Sequence, residues 1–266
     1  MRAMNRRITD CFARLDGTPA FVAYMMAGDP GIAESAELLA ALPGAGVDII
    51  ELGVPFTDPA ADGPTIAESG LRSLEAGTTL DDVLGMVQKF RESDEATPVI
   101  LMGYANPFHR RGFGKVAEMM ANAGVDGAIL VDIPPEEDSE VREAFGCHGL
   151  ALIRLATPTT DAARLPTVVR GTDGFVYYVS MTGVTGSRDA DASADLTSRV
   201  EAVRTASGLP VVVGFGIKTP EAAAEMAGVA DGVVVGSAIV AEHHAKGREA
   251  ALKLASDLAE AVHSKG

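Results

Sequence analysis

Short runs of β-branched and aliphatic residues recur along the chain. Each is followed by Gly or Pro, then by a longer stretch in which apolar residues return every three or four positions. Eight such runs stand out, at residues 21–26, 48–53, 98–102, 127–131, 150–155, 174–179, 210–214 and 232–236. Runs of this length and composition predict buried strands, and the stretches between them predict amphipathic helices. The helices fall at 33–41, 80–92, 116–123, 136–145, 162–169, 196–206, 220–227 and 248–263. The second is the best marked: Leu80, Val83, Leu84 and Val87 make one apolar stripe. Thr79 stands before it as an N-cap, with Asp82 three positions on in a near capping-box arrangement. Regular βα alternation predicts a parallel α/β sheet. Eight repeats with no large insertion favour a closed (β/α)8 TIM barrel over an open doubly wound sheet. One barrel domain is expected to span residues 1–266. The longest irregular segments, 54–65 and 180–194, both follow strands and so belong to the C-terminal mouth, where barrels place their active sites.

Composition narrows the class. The chain carries 37 acidic residues against 22 Lys and Arg, a formal net charge of −15, so it lacks the basic footprint of a nucleic-acid binder. No apolar run approaches the ~18 residues of a membrane span. Residues 8–15 include Thr9, Asp10 and Arg14, with no apolar signal-peptide core. Cys11 and Cys147 have no metal or redox spacing, which predicts reduced thiols in the cytoplasm. The five histidines show no ligand spacing either, and no metal is expected. Net acidity sets one difficulty: the overall field would not attract an anionic ligand.

Three constellations carry candidate chemistry. In ELGVPFTDPAADGPTI (residues 51–66), Glu51 sits within an otherwise apolar strand. Burial there raises a carboxyl pKa and suits it to proton transfer near neutrality. Asp58 and Asp62 follow on a proline-stiffened loop, where both an acid held over the mouth and a plain turn-forming Asp remain open readings. The second constellation is a set of glycine sites after the last three strands: MTGVTGSR (181–188), GFGIKTPE (214–221) and VVVGSAIV (233–240), the last opening a short helix at Ser237. Backbone amides at such sites bind phosphate, which answers the charge difficulty without a basic surface. Lys218 lies close by, as a ligand or a solvated helix-start lysine. The third comprises YMMAGDPG (24–31) and LMGYANPF (101–108), which with Phe215 bring aromatics to the same mouth.

Taken in order, these motifs resemble the tryptophan synthase alpha chain family from about Phe21 to Val240. ELGVPFTDPAADGPTI is the most specific piece, joined by LVDIPPEE (130–137) and YYVSMTGVTG (177–186). The resemblance implies a barrel lyase that cleaves indole-3-glycerol phosphate to indole and glyceraldehyde 3-phosphate. It implies Glu51 as general acid/base and Asp62 as the carboxylate engaging the indole N–H. Tyr24, Tyr104 and Tyr177 would line the site. Gly186, Gly216, Gly236 and Ser237 would contact phosphate, and Thr185 and Gly186 would belong to a mobile loop that closes over the substrate. Asp58 would face a beta chain in an alpha-two beta-two assembly. Pyridoxal phosphate would belong to that beta chain, with no cofactor in this one. Met26, where many members have Thr, and Ala60, where a larger aliphatic is usual, depart from the family pattern.

Overall fold

The computed structural model describes residues 6–180, 190–214 and 216–266, with residues 190–194 described by their backbone alone. Nine strand segments form one sheet: β1 (Ala20–Met26), β2 (Ile49–Gly53), β3 (Val99–Gly103), β4 (Gly127–Leu130), β5 (Ala151–Leu152), β6 (Arg154–Ala156), β7 (Val176–Val179), β8 (Val211–Gly214) and β9 (Gly232–Val235). The pairing order is β5-β4-β3-β2-β1-β9-β8-β7-β6, parallel throughout. The two outermost segments, β5 and β6, are consecutive in the chain and separated only by Ile153. One interrupted strand thus closes the sheet on itself, and the eight predicted runs become a (β/α)8 barrel.

Alternation along each strand sorts side chains into two layers. Val22, Ile49, Ile100, Ile129, Ile153, Val212 and Val234 point inward and pack together. A larger apolar layer lies between sheet and helices, including Phe21, Ile50, Leu52, Leu101 and Val233 on the sheet side. The helices are α1 (Arg6–Leu15), α2 (Ile32–Ala41), α3 (Pro64–Glu75), α4 (Leu80–Phe90), α5 (Ala105–His109), α6 (Phe113–Ala123), α7 (Ser139–His148), α8 (Leu165–Val169), α9 (Ala190–Ser207), α10 (Pro220–Ala227), α11 (Ser237–Lys246) and α12 (Arg248–His263). The capping box on α4 forms as the sequence predicts: the Thr79 hydroxyl accepts from Asp82 N–H, and the Asp82 carboxylate accepts from Thr79 N–H.

Three departures from the sequence pattern are the largest. The segment 54–65 is irregular only through Gly63, because Pro64 opens α3 at its first position. The segment 180–194 is helical from Ala190, the start of α9. Helix α1 has no place in the βα alternation; its Ile8 and Cys11 join the inward-facing layer, and Phe12 meets Phe175 edge-on.

Strand starts are pinned at the opposite end of the barrel from the mouth. Asp48, Asp126 and Asp231 each precede a strand and accept from the N–H of Phe21, Val99 and Val211, at 2.9, 2.8 and 2.7 Å. Each also holds a basic partner: His263 on Asp48, Arg91 and Arg7 on Asp126, Arg204 on Asp231.

Candidate active site

Glu51 lies in the middle of β2, in register with Tyr24 on β1 and Ile100 on β3, and is 1% exposed. Its parity along the strand turns it inward, and the barrel walls exclude water from it. Burial alone pushes its carboxyl up to about 8. Neither carboxylate oxygen has a hydrogen-bond partner among the described residues. An unpartnered buried carboxyl is costly to maintain, which makes it a candidate functional group.

A cavity of about 460 Å³ opens above it at the C-terminal mouth. One flank is Asp62 with Gly63, Pro64 and Thr65; the other is Gly216, Lys218, Gly236 and Ser237. Tyr24, Glu51 and Tyr177 form the floor between them. The loop carrying Asp62 is propped from β3's side: Tyr104 accepts from Ala61 N–H at 2.9 Å through its hydroxyl oxygen, and its ring stacks on Phe56. Partial burial raises the Asp62 carboxyl, while the Tyr104 hydroxyl bond opposes the shift. Asp58 lies outside this cavity, exposed at the loop tip beside Ala60.

Two tyrosines owe their positions to glycines on the next strand. A Cβ on Gly53 would overlap the Tyr24 hydroxyl, and one on Gly214 would overlap the Tyr177 hydroxyl. Each ring therefore lies across a neighbouring strand, with its hydroxyl in the notch. Burial, joined by the charge of Glu51, raises both phenols well above their ordinary value.

The described glycine sites that the sequence offers for phosphate also come together at the cavity. Gly216 follows β8 with φ +72°, a conformation that favours glycine. Gly236 caps α11 without a side-chain bond to the first-turn amides, and Ser237 opens that helix. α11 runs ten residues, longer than the short helix expected, so its dipole and free amides favour an anion at the cavity wall. Lys218, ambiguous in the sequence, reaches the lining. Thr185, Gly186 and Phe215 lie outside the described residues. Sequence reasoning missed Thr157 and the apolar wall of Met102, Val131, Leu155 and Val179. Inward parity along each strand is the signal that finds the wall: 102, 131, 155 and 179 share a face with the inner-layer residues 100, 129, 153 and 177.

Among the described residues no helix is long and apolar enough to cross a membrane, and no group of three His, Cys, Asp or Glu could hold a metal. A closed parallel barrel with a buried carboxyl beneath a mouth cavity defines a (β/α)8-barrel enzyme. The sequence matches the family model of the tryptophan synthase alpha chain over residues 12–265. It is 54% identical to the tryptophan synthase alpha chain of Caulobacter vibrioides, over 97% of this chain and 96% of that one. The fold superposes on tryptophan synthase subunit alpha from Legionella pneumophila with TM-score 0.89 at 39% identity, covering 99% of both chains. It superposes on a tryptophan synthase structure from M. tuberculosis with TM-score 0.87 at 34% identity, over 97% and 98% of the two chains. The chain belongs to the tryptophan synthase alpha chain family. It is accordingly a lyase of tryptophan biosynthesis that cleaves indole-3-glycerol phosphate to indole and glyceraldehyde 3-phosphate, and its partner is a beta chain. Alpha chains of this family do not themselves bind pyridoxal phosphate.

Proposed function

We propose that Glu51 carries the acid and base steps of this cleavage and that Asp62 serves the indole nitrogen. With its carboxyl raised to about 8, Glu51 is protonated at neutral pH and can deliver its proton to indole C3. That turns the ring into an electron sink with positive charge at nitrogen, which the Asp62 carboxylate stabilises. The Glu51 carboxylate then takes the proton of the hydroxyl on the adjacent side-chain carbon. The carbon–carbon bond breaks, its electron pair returns to the ring, and indole and the aldehyde separate. The observation that carries this reading is the unpartnered, buried Glu51 carboxyl facing the cavity opposite Asp62.

The remaining roles follow the cavity. Tyr24, Tyr104 and Tyr177 shape the indole end. Gly216, Gly236 and Ser237 hold the phosphate, with Thr185 and Gly186 assigned to the same site by family position alone. Asp58, exposed and off the cavity, belongs to the face meeting the beta chain in an alpha-two beta-two tetramer, where pyridoxal phosphate sits in beta. Residues 1–266 act as one barrel unit, in the cytoplasm. Replacing Glu51 with Gln tests the core of the assignment: indole formation should be abolished while binding of inorganic phosphate stays nearly intact. Normal turnover by that variant would overturn it.

A further inference from the structure

We propose that Asp29 and Arg72 are positioning residues for the cleavage, fixing α3 and, through it, the Asp62 edge of the cavity. The inference rests on the assignment of the mouth cavity as the substrate site. Arg72 lies in the last turn of α3 and forks onto Asp29, with Nε–Oδ1 at 2.8 Å and Nη2–Oδ2 at 2.7 Å. Asp29 is 4% exposed, in the connection between β1 and α2. The next side chain reinforces the attachment: the Ser73 hydroxyl donates to the Ala27 carbonyl at 2.5 Å. Gly28 takes φ +76° between them, and a Cβ there would come within 2.8 Å of Ser73 Oγ.

This polar grip matters because the packing of α3 is apolar at its first turn, where Ile66 meets the cluster of Tyr24, Met26 and Val240, but not along the rest of its buried face. Its buried positions are Ser69, Gly70 and Ser73. Gly70 allows close approach to β1, where a Cβ would stand 3.5 Å from the Met26 methyl. Small residues permit contact but do not fix an orientation, whereas a bidentate guanidinium–carboxylate pair does. At the other end of the helix, Pro64, Thr65 and Ile66 line the cavity, and Asp62 immediately precedes the Gly63 cap. A helix transmits placement over the roughly 12 Å separating Arg72 from Pro64. Loss of the pair should therefore displace the Asp62 edge while the glycine-built anion cradle, anchored on β8 and β9, keeps its place.

The test compares Arg72→Met, Asp29→Asn and Arg72→Lys with the parent enzyme. Two quantities are measured per folded molecule: kcat and KM for indole-3-glycerol phosphate cleavage, and the affinity for inorganic phosphate. A displaced catalytic group costs roughly 10- to 100-fold in kcat/KM, and that loss is expected for Arg72→Met and Asp29→Asn. Phosphate affinity should stay within about twofold of the parent. Arg72→Lys keeps the charge without the fork, so it should fall between. Parent-like kcat/KM in the folded variants would overturn the proposal, as would an equal loss of turnover and phosphate binding. If Arg72→Met does not fold, Arg72→Lys decides by the same two readouts. Glu51→Gln serves as a control: should it turn over normally, the site assignment itself fails, whatever Arg72 does.

Discussion

In its proposed role, the Glu51 carboxyl has opposite consequences for catalysis and for stability. Its proton-donating form is lost as pH rises through about 8. Indole release should therefore decline on the alkaline side with an apparent pKa near that value, checked by a rate profile between about pH 6 and 10; a rate still climbing at pH 9 would contradict it. In the unfolded chain the same group titrates at its ordinary value of 4.5. Between that value and about 8, the folded protein retains a proton that the unfolded chain has released. The contribution of Glu51 to stability therefore falls with pH across this window. Glu51→Gln should remove that penalty: its gain over the parent should grow across the window, reaching a few kcal/mol at its upper end. Urea midpoints at several pH values would measure it, and a pH-independent difference would refute the burial argument. Glu51 was legible in the sequence because a carboxylate inside an apolar run must be desolvated, a cost that a purely structural strand avoids. The notches at Gly53 and Gly214 were not: each pairs a glycine with a tyrosine on another strand, and only the strand register brings them together.

At the scale of elements, the helices most legible in the sequence are those that bind through apolar stripes. α4 shows its stripe and its capping box openly. α3 does not, because its buried face is Ser69, Gly70 and Ser73 and its docking is polar, so hydrophobic periodicity passes it by. α1 has a readable stripe in Ile8, Cys11, Phe12 and Leu15, but βα alternation assigns no helix before the first strand. The Asp residues at the strand starts are another feature that pattern reading misses, since an Asp before a strand looks like an ordinary turn. Asp126 is fully buried and bonds Val99 N–H, Arg91 and Arg7. Asp126→Ala should cost roughly 3–5 kcal/mol in urea unfolding, because it leaves the Arg91 guanidinium without its buried counter-charge. A loss below about 1 kcal/mol, the range of surface pairs, would show the network to be dispensable. His263 on α12 reaches Asp48 at 2.7 Å, and this bond raises its pKa in the folded state. Its contribution is fully present below the unfolded value, near 6.5, and disappears as pH rises through the higher folded value. His263→Ala should accordingly destabilise at pH 6 more than at pH 9, and thermal unfolding at the two pH values would show it.

Over the whole molecule, the charge of −15 and the anionic substrate pull in opposite directions. On the proposed assignment the cavity resolves the conflict locally: Gly216, Gly236 and the first turn of α11 take the phosphate, with Lys218 as the one cationic side chain among the described lining residues. Backbone amides and a helix dipole act over a few ångströms and are little affected by salt in a recessed site, whereas repulsion from the distributed surface charge is screened over about 10 Å at 0.1 M salt. The two contributions therefore respond differently to ionic strength. In an enzyme that steers its substrate with surface charge, added salt lowers kcat/KM. Here added KCl should leave kcat/KM for indole-3-glycerol phosphate unchanged or raise it, because screening weakens the repulsion and spares the amide cradle. Phosphate and sulfate buffers must be avoided, since either anion would compete for the cradle itself. A steep fall with KCl would mean that Lys218 and long-range attraction, rather than the glycine-built amides, govern capture. Lys218→Ala separates the two: with amides dominant, it should weaken inorganic phosphate binding by no more than about 1 kcal/mol, the range of an exposed charge interaction.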